Sequence, residues 1–342
     1  GVAQLTDFGL SEDNRHRPRK GYKPFGTHTG RCRPTSKWAF GAAKWGRGFI
    51  KPSYGCAIAN LDFKSQEALV AGKLSDDKNM LAAYASGDIY MHAAVLAGMA
   101  PEDAPLHLKN YKDKIDNKTP ELITKIEKQV AEIRKIWKVI VLASNFGQGA
   151  KGMAKGLKKF GKTYSEVAGL LMRYKEIYKI YFDWAEARGN HAQVHGFIST
   201  ALGWDRHFPY SVPINPRSLM NWSVQATAAE ILRNALLRLH NANIKVCTTV
   251  HDSVLIECPL PEVQEQVRMA KQCMIDAGDY IIGKGIKVDV NIFDNNFEPD
   301  ARDQKVFNTV FNEIEKYRTT ENLKHGQVLS RNIVRGTNIN VI

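Results

Sequence analysis

Asp62 and Asp252 are the residues from which chemistry is most readily read. Asp62 ends the apolar run CAIANL (56–61), and Asp252 sits with His251 at the join of two apolar runs in KVCTTVHDSVLIEC (245–258). An ionised carboxylate set against buried strands is costly unless a cation or a strong donor faces it. Two such carboxylates fit oxygen ligation of a hard divalent metal. Each also has a plainer reading: Asp62 as a helix N-cap and Asp252 as a turn residue. Strand alternation places Val246, Thr248, Val250, Asp252, Val254 and Ile256 on one face, so Asp252 points with apolar residues, which favours the ligand reading. Glu67 follows Asp62 by five residues in LDFKSQEAL.

A second pattern lies in RKIWKVIVLASNFG (134–147), where Arg134, Lys138, Leu142 and Phe146 recur every four residues along one helical stripe. Two cations followed by two large apolar groups suit a nucleotide, with the triphosphate on the cations and the base at the apolar end. Arginine brings a bidentate fork to phosphate and lysine a point charge. A solvated basic edge beside a core stripe is the alternative. Residues 134–162 hold eight Lys/Arg and no acid, whereas exposed helices ordinarily mix signs. A third pattern, NPRSLMNWSVQATAAEIL, spaces Arg217, Asn221 and Gln225 by four on a helix of small and apolar residues. These types contact sugars, phosphates and base edges of duplexes; a polar outer face is the other reading.

The elements that must position these groups are legible in outline. The run 56–61 has strand length, SQEALVAGKL is helical, and a mostly helical stretch extends from about Lys78 to Gly189. Within it 116–120 is a break, 121–144 a helix, and Ser165 the expected N-cap of a helix over 166–188. In that last helix Val167, Leu170, Leu171, Tyr174, Ile177, Tyr178 and Tyr181 form one buried face. A β-hairpin is expected over 194–212 with its turn near Gly203, then a helix over 216–241, the hairpin holding Asp252, and a last strand over 288–293. The tail, 299–342, is polar with one amphipathic helix over 306–317. Strands on both sides of a helical insertion give an α+β chain.

Composition bounds the partners. The 342 residues carry a net charge of +13, concentrated in residues 1–60, with 11 Lys/Arg against three acids, and in residues 134–162. Two such basic segments point to a polyanion. No apolar run approaches the length of a membrane span, and the N-terminus lacks the apolar core of a signal peptide. Five cysteines without a C-x-x-C pair argue for a reducing compartment and against a disulfide framework.

Taken in order, these stretches resemble the family A DNA polymerases, the polymerase I and T7-like group. DFKSQE is similar to their motif A, RKIWKVIVLASNFG to motif B and TVHDSV to motif C. THTGR (27–31) resembles the stretch ahead of motif A, and GFISTALGWDRHF the hairpin before the next helix. RSLMNWSVQATAAEIL matches the helix before motif C at Arg217, Asn221, Gln225, Thr227 and Ala228. The resemblance runs from about Thr27 to Asn296; the order and spacing of all motifs together make it specific. It implies a right-hand polymerase: an N-terminal segment (1–26), a palm in two parts (27–77 and 194–298), inserted helical fingers (78–193) and a C-terminal extension (299–342). The thumb and the exonuclease domain are expected to be absent from this chain.

The implied activity is template-directed addition of dNTPs to a primer 3′ end, with primer-template DNA and dNTPs as partners and no membrane. A separate chain supplying thumb or exonuclease functions is a further implied partner. Asp62 and Asp252, with the Phe63 carbonyl, are the implied ligands of two Mg²⁺ ions, which Mn²⁺ can replace. Arg134 and Lys138 would bind the triphosphate, Lys138 also protonating the leaving group, with Leu142 at a dNTP-contacting position linked to discrimination at the sugar 3′ position and Phe146 beside the nascent base pair. Glu67 would pack under the sugar and disfavour a 2′-hydroxyl. His251 would contact the primer terminus, and Arg31, Arg217, Asn221 and Gln225 the primer and template. The expected location is cytoplasmic, that of a host cell for a phage-encoded chain. The sequence departs from the family at Leu142, where Phe or Tyr is common, at Ser253, where a carboxylate is common, and at Tyr90 in DIYMHAA, where His is common. The alternatives are a single-subunit RNA polymerase, against which Glu67 and Phe63 argue, and a non-catalytic DNA-binding subunit, which needs no paired carboxylates.

Overall fold

The computed structural model describes residues 22–34, 44–117, 119–145, 147–209, 214, 219–294 and 301–324. Phe146 and Arg217 lie outside the described residues. The chain is α+β and divides into two units, one of residues up to Lys64 with Ala229–Tyr280 and Gly285 onward, the other of Ser65–Ala228 with Ile281–Lys284.

The first unit is built on a four-stranded antiparallel sheet. Its strands are β3 (Cys56–Phe63), β6 (Val246–Val250), β7 (Ser253–Pro259) and β8 (Val288–Phe293), in the order β6-β7-β3-β8. A two-stranded ribbon, β1 (Tyr22–Lys23) with β2 (Arg33–Pro34), belongs to the same unit. Ala57, Ile58, Ala59, Leu61 and Phe63 are all buried, as are all residues of β7 from Ser253 to Cys258. Burial of successive residues means that both faces of these strands are covered, which is why they read as continuous apolar runs. The β6–β7 hairpin pairs Val250 with Ser253, so His251 and Asp252 form its two-residue turn. His251 takes a left-handed backbone (φ 59°) to close it. Strand alternation therefore does not run through Asp252, and a register shift between Val246 and Thr248 breaks it again. The single face expected from Val246 to Ile256 is corrected: Asp252 is a turn residue, and the turn delivers it to the strand end. The helix α10 (Val263–Ile282) buries Val267, Ala270, Met274 and Ala277 at three- and four-residue spacing. The last helix, α11 (Ala301–Lys324), is longer than the expected 306–317. It docks through Phe307, 5.0 Å between ring centroids from Phe49 of the 3₁₀ turn Lys44–Phe49.

The second unit is helical: α1 (Gln66–Ser75), α2 (Lys78–Ala85), α3 (Ile89–Leu96), α4 (Ala104–Asp116), α5 (Lys125–Asn145), α6 (Ala150–Leu157), α7 (Tyr164–Ile177) and α8 (Lys179–His195). The hairpin β4 (Phe197–Ser199) with β5 (Asp205–His207) turns at Gly203, as expected. The first residues of α9 (Trp222–Asn241) also belong to this unit. Helix α5 is the hub, packing on α3, α4, α6 and α7. Trp137, Tyr174, Tyr178, Tyr181 and Phe182 form its aromatic core, with Tyr174 5.0 Å from Tyr178 and 5.5 Å from Phe182.

Three expected boundaries move. Helix α5 starts at Lys125 because a separate 3₁₀ turn occupies Pro120–Leu122. The helix expected over 216–241 begins at Trp222. The helix expected over 166–188 is two helices, α7 capped by Thr163 rather than Ser165, and α8 running on to Gly196. The break at Tyr178 has a cause in α2. The amide of Tyr181 donates to the Asp77 carboxylate at 3.0 Å, and the Ile177 carbonyl accepts from Asn79 Nδ2 at 2.8 Å. Both partners of the helical bond that would have joined the two pieces are thus satisfied by the start of α2.

Candidate functional site

The sheet unit carries one group of candidate residues. In the ladder, Asp62 pairs with Ser253 of β7 on one side and with Asp289 of β8 on the other. Cross-strand partners share a face, so Asp62 and Asp289 project together at the end of the central strand. Asp252 stands one residue beyond Ser253, and its carbonyl accepts from the Phe63 amide at 3.5 Å. Burial, with the charges of Asp252 and Asp289 added, pushes the Asp62 carboxyl up to about 7. A cation beside it would favour its ionised form. Phe63 itself is buried and anchors the strand end. His251 is exposed at the tip of the hairpin turn.

The helical unit carries a second group. Arg134 and Lys138 lie on α5 one turn apart, and both reach the ring of Tyr90 on α3. The guanidinium carbon is 5.1 Å from the ring centroid and the lysine ammonium 5.9 Å. Arg134 Nε donates to Asp88 Oδ2 at 2.6 Å, and Lys112 of α4 lies 3.6 Å from the same oxygen. Burial raises the Tyr90 phenol above its ordinary value. Leu142, the next residue on the stripe, is 41% exposed. Glu67 in the first turn of α1 accepts from Asn221 Nδ2 at 3.2 Å. Asn221 sits at the start of α9, its carbonyl taking the Gln225 amide. Both Asn221 and Gln225 are buried, so the reading of a polar outer face is excluded for them. Arg31 is half-buried in the loop between β1 and β2.

Sequence reasoning singled out Asp62, Asp252, Arg134 and Lys138 but not the residues that stand beside them, Asp289 next to Asp62 and Asp88 and Lys112 next to Arg134. A signal for Asp289 was present: an acid flanked by valines in a strand (VDV) faces away from its apolar neighbours. Which other strand it meets is a matter of register, which one chain's pattern does not contain.

The sequence model of DNA polymerase family A matches residues 41–297, three quarters of the chain. This chain belongs to family A of the DNA polymerases. Relatives include the thermostable DNA polymerase I of Thermus thermophilus, 24% identical over 258 residues that cover 72% of this chain and 27% of that protein. DNA polymerase I of Aquifex aeolicus is 27% identical over 71% of this chain and 39% of its own length. The DNA polymerase of Bacillus phage SP01 is 26% identical over 174 residues, 45% of this chain and 18% of that protein. The chain thus spans well under half the length of the curated relatives it matches. Among solved structures, the POL domain of Pol1 from M. smegmatis, in complex with DNA primer-template and dNTP, superposes with a TM-score of 0.66 at 20% identity. It covers 86% of this chain and 50% of that one, a likeness of fold.

Family A polymerases are generally metal-dependent. Among the described residues no three His, Cys, Asp or Glu side chains are gathered to hold a metal unaided. The site of the raised Asp62 carboxyl disfavours bare negative charge and fits a cation. Among the described residues, no helix is long and apolar enough to cross a membrane.

Proposed function

We propose that this chain is the polymerase part of a template-directed DNA polymerase, adding dNTPs to a primer 3′ end. The carrying observation is that Asp62, on the central strand, and Asp252, in the hairpin turn beside it, meet at one edge of one sheet in a family A chain. The sheet unit takes the part of the palm and the helices α2–α8 that of the fingers. Asp62 and Asp252, with the Phe63 carbonyl as a further oxygen, are the residues that would hold two Mg²⁺ ions. When bound, such a pair lowers the pKa of the attacking hydroxyl and neutralises charge on the leaving oxygen.

The other residues bind and orient. Arg134 and Lys138 hold the triphosphate, and Lys138, exposed on its helix, supplies a proton to the departing pyrophosphate oxygen. Leu142 would contact the dNTP sugar near its 3′ position, and the family motif assigns Phe146 to the nascent base pair. Glu67 occupies the space of a ribose 2′-hydroxyl and so favours deoxynucleotides. His251, Arg31, Arg217, Asn221 and Gln225 serve primer and template, Asn221 also by fixing Glu67. In-line transfer at phosphorus needs positioning and charge neutralisation more than covalent chemistry from the protein.

The test is primer extension on a primed DNA template with Mg²⁺, dNTPs and NTPs in separate reactions, beside Asp252→Asn. Extension with dNTPs that the variant loses, with DNA binding kept, is expected. Extension with NTPs alone would replace the assignment by an RNA polymerase. No extension by a wild-type chain that binds the template would overturn it for this chain acting by itself.

A further inference from the structure

Arg134 is held in a way that its assignment as a phosphate ligand does not explain. Its Nε donates to Asp88 Oδ2 at 2.6 Å, and one face of its guanidinium rests on the Tyr90 ring at 5.1 Å. Nε is the inner edge of the guanidinium. The two terminal nitrogens form the outer edge, and among the described residues they make no hydrogen bond. A guanidinium fixed by its inner edge and one face presents the remaining edge, the fork that pairs with two phosphate oxygens.

Asp88 could act in either of two ways. As a latch it would compete with phosphate for Arg134 and swing away when an anion arrives. As a bracket it would stay and aim the arginine. The geometry separates them. The other carboxylate oxygen, Oδ1, accepts from the Met91 amide at 3.1 Å and caps α3. Leaving Arg134 by rotation would also break that cap, at a helix start whose dipole favours the carboxylate where it is. Lys112, 3.6 Å from Oδ2, adds a second cation to the same atom. Asp88 is 17% exposed, at the start of α3 and against Lys112 of α4 and Arg134 of α5, all in one unit.

From this we infer that Asp88 is a positioning residue for triphosphate binding: it orients Arg134, with Tyr90 as the plate beneath the guanidinium. The inference rests on the reading of α5 as the triphosphate-binding helix. Asp88 touches no substrate atom; it acts through Arg134. Its negative charge near the phosphates opposes binding, and the orientation it imposes favours binding. The bracket requires the second effect to be the larger.

The experiment is calorimetric titration of the intact chain with dATP and Mg²⁺, without DNA, for wild type, Asp88→Ser, Asp88→Asn and Arg134→Ala. Serine caps a helix about as well as aspartate but does not reach Arg134, so Asp88→Ser separates the cap from the bracket. Its dissociation constant is expected to rise about tenfold, with the helical circular dichroism unchanged. Asn has one oxygen for the two donors that Asp88 serves, the Met91 amide and Arg134 Nε, so it keeps the cap or the bracket but not both, and its dissociation constant is expected to rise, by no more than about tenfold. Arg134→Ala tests the underlying reading. If it binds dATP like wild type, α5 is not the triphosphate site and the bracket falls with it. If Arg134→Ala loses binding while Asp88→Ser binds as well as or better than wild type, the bracket alone is overturned. A dissociation constant for Asp88→Asn at or below that of wild type would overturn it too, also where Asp88→Ser does not fold, because an amide cannot cap α3 and hold Arg134 at once.

Discussion

The carboxylate of Glu67 and the amide of Asn221 meet at 3.2 Å although 154 residues separate them in sequence. A carboxylate assigned to exclude a 2′-hydroxyl works only if it stays put, and Asn221 is a buried, fixed donor to it. Glu67→Ala is expected to raise ribonucleotide incorporation by about tenfold or more, since the hydroxyl then meets space. Asn221→Ala leaves the carboxylate but removes a donor worth about 1 kcal/mol, so a smaller relaxation of about fivefold is expected. Single-nucleotide insertion of dNTP against NTP on one template measures both. An Asn221→Ala enzyme with unaltered sugar selection would remove Asn221 from this role. At this scale the sequence was most informative where isolated residues are costly. Asp62 drew notice because a carboxylate at a buried strand end needs a partner. Asp252 was singled out by an alternation that the hairpin turn in fact interrupts, so that part of its rationale does not hold. The Glu67–Asn221 bond, the Asp62–Asp289 register and the Asp88–Arg134 pair could not be read, because each joins segments whose meeting only tertiary packing decides.

The elements tell a similar story through their ends. Helix α7 begins with a capping box in which the Thr163 hydroxyl accepts from the Glu166 amide, and the Glu166 carboxylate accepts from the Thr163 amide at 2.8 Å. Thr163 and Ser165 are both cap formers; what decides is Glu three residues after Thr163, a spacing present in the sequence. The break at Tyr178 has no such mark, neither Pro nor Gly, and arises because Asp77 and Asn79 take the bonds that would have continued the helix. Thr163→Ala is expected to cost about 1 kcal/mol in chemical denaturation. The box also gives a pH signature. The Thr163 amide, then its hydroxyl and Lys162, hold the Glu166 carboxyl down at about 2, against an ordinary 4.5. A carboxyl lowered by folding stabilises the native state fully above its unfolded value and loses that contribution as pH falls toward the folded one. Wild type should therefore exceed Glu166→Gln in Tm at pH 6, with the gap closing between about pH 4.5 and 2. A gap that is constant with pH would mean that the carboxylate charge does no work at the cap.

Over the whole molecule, charge is distributed unlike the fold. The family match ends at residue 297, and the net charge of +13 is concentrated in two segments, of which 134–162 is shared between α5, α6 and the 3₁₀ turn that follows. In α6 the division is sharp. Met153 and Leu157 are buried four residues apart, while Lys151 and Lys155, also four apart, are exposed, as are Lys158 and Lys159 just beyond. None of these four lysines has an acidic partner among the described residues, whereas Lys162 is paired with Glu166. Unpaired cations on one exposed edge repel one another and gain by meeting an anion, so the arrangement fits a backbone-binding surface. If the edge neutralises phosphates, replacing Lys151, Lys155, Lys158 and Lys159 by Gln should weaken binding to primed DNA most at low salt. The slope of log K against log salt should fall by about 0.9 for each duplex phosphate that is no longer neutralised, about 0.7 for single strands. The variant and wild-type lines should converge as salt rises, because what was removed is counterion release and not a base-reading interaction. Parallel lines would show the four lysines lying off the DNA path. In that case the positive charge of this segment would act at the triphosphate through Arg134 and Lys138 alone, and dNTP binding, not DNA binding, would carry its salt dependence.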